Sequence, residues 1–242
     1  MIQPAEQRFP QMSFVGIDGV LVRFGAEMSE GANKAAVAFH RHVAELKLPG
    51  VLETAPSLTA VFIRLDIETD LEPVLANIRS ELARKDWFAV PSAAHRKWTI
   101  PCCFDGPQLR EAAELAGVSE TQAVAQITQS EVQVLTLGFA PGQPYLGTLD
   151  QNWNIPRMTG IAAQVPARAL VVAVSQLIVF ANEAPTGWRH IGQMAFTCFD
   201  KDREVPFAFQ SGDLVQFETA GRAEIDGLMD APTGGARLER LA

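Results

Sequence analysis

Residues 137–150 read Leu137-Gly138-Phe139-Ala140-Pro141-Gly142-Gln143-Pro144-Tyr145-Leu146-Gly147-Thr148-Leu149-Asp150. Three glycines and two prolines stand among aromatic and aliphatic side chains, directly after the β-type run 131–136. Proline removes a donor and fixes φ, while glycine admits turns that other residues resist, so a helix is excluded here. The apolar side chains still require burial. The stretch therefore reads as a rigid, irregular, partly buried loop, and loops of that kind often line binding sites.

Beyond this loop the chain is almost entirely β in pattern. Short runs at 132–137, 169–181, 195–199 and 214–218 are split by glycine and proline turns, a spacing that predicts a compact barrel or sandwich. Residues 222–242 mix glycine, proline and charge and read as a C-terminal tail. On the N-terminal side of the loop, 97–104 is a strand interrupted by Pro101. A short helix over 105–117 follows, with Leu109, Ala112, Ala113 and Ala116 on one side. Ser119 and Gln122 then open another helix as a capping box. This helix pair has the spacing of a helix-turn-helix, but an acidic chain argues against DNA recognition.

The first third alternates strand pairs and helices. Runs 13–17 and 20–24 flank Asp18-Gly19, a hairpin signal. A helix is expected over 33–48, capped by Asn33 and stopped by Pro49-Gly50, with Ala36, Val37, His40, Val43, Ala44 and Leu48 as its apolar-leaning stripe. Runs 51–55 and 59–66 form a second strand pair. Leu71, Val74, Leu75, Ile78, Leu82 and Ala83 mark a second helix over 71–87. Two such pairs predict an α+β layer with helices on one face of an antiparallel sheet. Residues 89–94, with Pro91 and Ser92, read as a linker, giving an N-terminal domain over 1–91, a β-rich domain over 95–221 and the tail over 222–242.

Composition narrows the function. The 242 residues are 48% hydrophobic and 20% charged, ordinary values for a globular protein with a sizeable core. A net charge of −8 argues against nucleic-acid binding. Residues 1–6 carry neither a basic nor an apolar signal region, and the longest apolar run, 169–181, is too short to span a bilayer. Cys102 and Cys103 are adjacent and Cys198 is distant, so neither a disulfide framework nor a zinc spacing is readable. Unpatterned thiols fit a reducing, cytoplasmic setting. His40, His42, His95 and His190 are scattered, and no metal site is expected.

No nucleophile elbow, P-loop or dinucleotide fingerprint is present. Polar groups in the β-rich part carry more information. Arg157 follows Pro156 and has the fork to clamp a carboxylate or phosphate. Gln176 interrupts an apolar run, where a buried amide needs partners or a ligand. Glu183 precedes Pro185-Thr186-Gly187-Trp188, and Asp150 ends the opening loop.

The loop 138–150, with Pro156-Arg157, Val165-Pro166-Ala167, Gln176, Glu183, Pro185, Gly187-Trp188, Ile191-Gly192 and Gly212-Asp213 following in order, resembles the allophanate hydrolase subunit 1 family. That family includes the B component of the multi-subunit bacterial enzyme 5-oxoprolinase and the Kip-type inhibitor of a sporulation histidine kinase. The resemblance implies a small α+β N-terminal domain followed by a cyclophilin-like β-barrel. It implies a non-autonomous subunit of an ATP-dependent amidohydrolase opening 5-oxoproline to glutamate, with ATP used at the level of the complex. Implied partners are a barrel protein of the allophanate hydrolase subunit 2 type, equivalent to the C component of 5-oxoprolinase, and the A component. Carried onto this chain, the site comprises Pro141, Tyr145, Arg157, Gln176 and Trp188 as substrate-binding groups. Glu183 and Asp150 are the acid, base or orienting groups. The alternative reading is a non-catalytic regulator of the histidine-kinase-inhibitor type.

The chain departs from the family pattern at several positions. Ile127 replaces a histidine, Gln143 a phenylalanine, Ile161-Ala162 a Pro-Arg pair, Phe180 a tyrosine and Ala184 a serine. Val174 to Ile178 stands where the pattern has a glycine-rich turn. A histidine, an arginine, hydroxyls and glycines thus give way mostly to apolar groups, the direction expected of a pocket with a changed ligand or a protein kept for binding.

Overall fold

A computed structural model describes residues 8–91 and 94–241. The chain forms two compact units, Met1–Ala93 and Ala94–Ala242. The expected linker falls at this boundary, and its Ser92 lies outside the described residues, as do residues 1–7 and 242.

In the N-terminal unit, β1 (Gln11–Val15) and β2 (Gly19–Arg23) form the expected hairpin, followed by α1 (Glu30–Leu46), β3 (Val51–Ser57), β4 (Ala60–Leu65) and α2 (Leu71–Ala83). The antiparallel sheet runs β1-β2-β4-β3. Val22, Phe24 and Ile63 from the sheet meet Phe39 and Val43 of α1, Ile78 of α2 and Trp87 in one core. Helix α1 starts earlier than its sequence suggests. Ser29, not Asn33, caps it, accepting from the Ala32 N–H at 3.2 Å. Asn33 is buried inside the helix and donates to the Leu58 carbonyl at 2.6 Å instead.

The second unit contains β5 (Arg96–Cys102), α3 (Leu109–Leu115), α4 (Glu120–Gln129), β6 (Val132–Leu137), β7 (Pro144–Gly147), β8 (Ala162–Val165), β9 (Ala169–Ala173), β10 (Gln176–Val179), β11 (Ala184–Thr186), β12 (Arg189–Gln193), β13 (Leu214–Thr219), α5 (Arg222–Gly227) and β14 (Arg237–Arg240). Eight strands run β12-β9-β10-β7-β6-β13-β5-β14, and β8 pairs with β11 separately. The capping box of Ser119 and Gln122 opens α4. The fold is α+β, as the sequence implies.

Four local expectations are corrected. The run 169–181 is two strands, because Val174 and Ser175 both adopt positive φ and make a tight hairpin without the usual glycine or asparagine. The opening loop is only partly irregular: after a turn over 138–143, Pro144–Gly147 enters the sheet between β6 and β10. Residues 195–199 form no strand, only an isolated bridge from Phe199 to Phe207. The expected tail is structured, since β14 pairs antiparallel with β5 and α5 buries Ile225.

The strand order is open, so among the described residues no continuous ladder closes the expected barrel. Cys103, just past β5, meets Gln193 at the end of β12 in a single bridge, with both hydrogen bonds at 2.8 Å. Gly192 permits that approach, because a Cβ there would lie 2.7 Å from the Cys102 sulfur. The core inside includes Trp98, Ile100, Ile127, Trp153, Phe196, Phe209 and Phe217.

Candidate functional site

The turn between β6 and β7 builds one wall of a cavity in the second unit. Gly138 N–H donates to the Gln143 carbonyl at 3.0 Å and Gln143 N–H to the Ala140 carbonyl at 3.1 Å, while Phe139 and Gly142 take positive φ. Gln143 and Tyr145, two residues apart, both reach the cavity. Ile178 of β10, opposite Tyr145 in the sheet, and Phe180 extend the wall. Trp188 and Thr186 face them, and Arg157 and Ile161 come from the segment before β8. The cavity volume is about 380 Å³.

Its polar groups are few and directed. The Arg157 guanidinium lies 5.3 Å from the centre of the Trp188 ring, within cation–π range, and makes no ion pair among the described residues. Tyr145 meets Trp188 edge-on at 6.4 Å, steadying that platform. Gln143 is only 2% exposed, and its Oε1 accepts from the Ala181 N–H at 3.3 Å. A backbone N–H can only donate, so this bond fixes which end of the amide is oxygen and leaves the NH2 group to donate elsewhere. Thr186 Oγ1 accepts from the Trp188 N–H at 3.1 Å, which leaves its own hydrogen available. Among the described residues the lining contains no carboxylate. Apolar walls, one cation and several donors suit a small ligand with an apolar body and acceptor oxygens, such as a carboxylate or amide.

Of the residues singled out in the sequence, Tyr145, Arg157 and Trp188 converge here. The other four do not line the cavity. Pro141 is exposed in the turn, and Gln176 sits at the head of β10 opposite Gly147 and Ala173. Glu183 is exposed and accepts from Gln164 Nε2 at 2.6 Å. Asp150 is exposed ahead of a short 3-10 turn without capping it. Both carboxylates sit outside helices and strands, and neither lines the hollow. Gln143, Ile178, Phe180 and Thr186 line the cavity although the sequence assigned them no site role, Gln143, Ile178 and Phe180 having been noted only as departures from the family pattern. The two-residue spacing of Gln143 and Tyr145 was the available signal, hidden while the segment read as irregular loop.

Other reactive groups are quiet. The buried Cys198 thiol is pushed up to about 12 by burial, and burial also raises Cys102 and Cys103. His190 lies outside the cavity, its ring nitrogen 3.0 Å from the Gly192 carbonyl, with its pKa drawn down by burial. Among the described residues no group of three His, Cys, Asp or Glu side chains is placed to hold a metal ion. No helix there is long and apolar enough to cross a membrane. The N-terminal unit has a larger hollow of about 520 Å³, walled by Met12, Phe14, Val20 and Leu82. Arg79, the one charged residue among its described lining, is already paired with Glu72 at 3.7 Å.

The α+β unit and the mixed sheet with its donor-lined cavity form a fold of the carboxyltransferase-domain type. The chain belongs to the family described as carboxyltransferase domain, subdomain C and D, which matches residues 10–209, and within it to the group formed by the B components of 5-oxoprolinase. The B component of 5-oxoprolinase from Bacillus subtilis (strain 168) is 28% identical over 86% of this chain and 91% of its own length. That of Escherichia coli O157:H7 is 31% identical over 70% of this chain and 78% of its own. The crystal structure of TTHA0988 superposes with a TM-score of 0.73 at 29% identity, covering 84% of this chain but 40% of that one. The chain thus spans less than half of that longer protein.

Proposed function

We propose that this chain is a non-autonomous subunit of an ATP-dependent amidohydrolase of the 5-oxoprolinase type, and that the cavity under Trp188 holds the substrate. The observation that carries the reading is Arg157 stacked on Trp188 beside the buried Gln143 amide, with no carboxylate in the lining among the described residues. A carboxylate would sit on the guanidinium, and an amide or lactam oxygen would accept from the Gln143 NH2. Acid–base groups would then come from a partner protein, because Glu183 and Asp150 stand outside. ATP does not fit this cavity: one guanidinium, with no lysine in the lining, is too little positive charge for a triphosphate. Its use is assigned to a partner resembling the A or the C component of 5-oxoprolinase. Phe139 and Ile161, 78% and 73% exposed at the mouth, support a partner that covers them.

The test is ATP-dependent release of glutamate from 5-oxoproline by the chain co-expressed with the two partner proteins. Losing one charge-assisted contact costs about 1.5–3 kcal/mol, so Arg157→Ala is expected to lower kcat/KM roughly 10- to 150-fold. Full activity in that variant would remove Arg157 from the site.

A further inference from the structure

Two short segments grip each other residue by residue beside the cavity. The Met158 N–H donates to the Gly187 carbonyl at 2.7 Å. The Arg157 guanidinium rests on the Trp188 ring. Arg189 Nη1 donates to the Pro156 carbonyl. Residues 187, 188 and 189 thus hold 158, 157 and 156 in turn.

Arg189 is the unusual member. Its side chain is 5% exposed, and the guanidinium also binds Glu111 Oε1 through Nε at 3.0 Å and Nη2 at 2.9 Å. Burying a guanidinium is unfavourable unless it is fully paired, and Glu111, 51% exposed, stays half in water. A surface ion pair with such a partner would contribute little by itself. The fork's value is geometric: it reaches a carboxylate on α3 and a backbone carbonyl on the Arg157 segment at once, which a lysine's point charge does not reproduce. The same segment borders a second hollow of about 460 Å³, lined also by Gln108, Glu111 and Arg189. Arg157 therefore borders open space whose described lining does not include Trp188. The contact at Pro156 opposes movement of Arg157 into that space.

We propose that Arg189 is a positioning residue that holds Arg157 over Trp188 through the Pro156 carbonyl, with Glu111 fixing the orientation of its fork. This rests on the reading of the cavity as the ligand site. The inference predicts that Arg189 matters only while Arg157 is present.

A double-mutant cycle on the full chain, assembled with its partner proteins, tests it with 5-oxoproline as the probe. Binding is followed by calorimetry and turnover by glutamate release. Arg189→Lys is expected to weaken 5-oxoproline about tenfold, raising KM more than it lowers kcat. In the Arg157→Ala background the same change should have less than a twofold effect. Glu111→Gln, which keeps an amide oxygen to accept from the Arg189 fork, should show a smaller loss with the same dependence on Arg157. It decides the matter if Arg189→Lys does not fold. If Arg157→Ala binds the probe as tightly as the parent, the cavity reading falls and this inference with it. If Arg157→Ala is weak but the Arg189 and Glu111 changes are silent, or act equally in both backgrounds, the positioning role alone is overturned.

Discussion

The two units differ in what they bury. Among the described residues, the N-terminal unit buries one polar side chain, Asn33, which ties α1 to the Leu58 carbonyl. The second unit buries Gln143, Arg189 and Asp213. Buried polar groups are unfavourable unless partnered, so their concentration marks where packing alone was not the requirement. Two of the three adjoin the cavity or its Arg157 segment. Size ranks the hollows the other way, since the N-terminal one is larger. Its walls are apolar and its arginine is already committed to Glu72. Directed chemistry, not volume, separates a site from a surface depression.

The largest expected effect concerns Asp213, which accepts from Arg96 Nη2 and from the Gln210 N–H, both at 2.8 Å. Asp213→Ala leaves the largely buried Arg96 guanidinium with the Ala208 carbonyl but without its carboxylate, and should destabilise the second unit by about 3–5 kcal/mol. Native-state hydrogen exchange checks this: β13 amides should lose protection while β4 amides keep theirs. Equal loss in both would erase the distinction between the units.

A smaller effect separates the two hollows. Trp188→Leu removes the cation–π face and should weaken 5-oxoproline by about tenfold, in line with roughly 1–2 kcal/mol for a desolvated pair. Arg79→Ala should change affinity by less than twofold, measured by the same titration. A matching loss in both variants would show that the N-terminal hollow also takes part.

The smallest effect is a pH dependence shared by the units. Burial draws the pKa of His40 in one and His190 in the other below the ordinary histidine value. His40 also carries a buried ring nitrogen, Nδ1, without a hydrogen-bond partner among the described residues. Because the folded pKa values are lowered, the fold favours the neutral rings. This contribution is complete above the unfolded value of about 6.5 and is lost as pH falls through the folded values. Imidazole titrations by NMR should therefore give midpoints below about 6.5. His40→Gln should flatten the acid-side loss of protection in the first unit only, and His190→Gln in the second only.

Much of this architecture was legible because local chemistry and fold agreed. Asp18-Gly19 marked the first hairpin, and the turn spans 16–18 with Gly16 at positive φ. Ser119 and Gln122 marked the start of α4 without error. Reading failed where tertiary contacts set the backbone. Val174 and Ser175 carry no turn signature, and the hairpin they make is imposed by pairing of the two flanking strands. Pro144 argued for a loop, yet it begins a strand lying between two others, where Leu137 is its cross-strand neighbour. Arg157 was picked out by its guanidinium chemistry and Trp188 by the family resemblance, and both line the cavity. Gln143 and Arg189 were not picked out as site residues, since their roles depend on a backbone N–H at Ala181 and a carbonyl at Pro156, which no side-chain pattern reveals.

The pairing of β14 with β5 has one more consequence. Arg240 lies beside Arg96, and the Leu241 N–H donates to the His95 carbonyl at 2.9 Å. The second unit therefore enters and leaves through the same doorway. A module with adjoining ends can be spliced into a longer polypeptide, or its order of connection rotated, with little disturbance inside. For engineering, that makes this unit portable: a short bridge between 95 and 241 and a new opening at an exposed turn would yield a permuted version with its cavity intact.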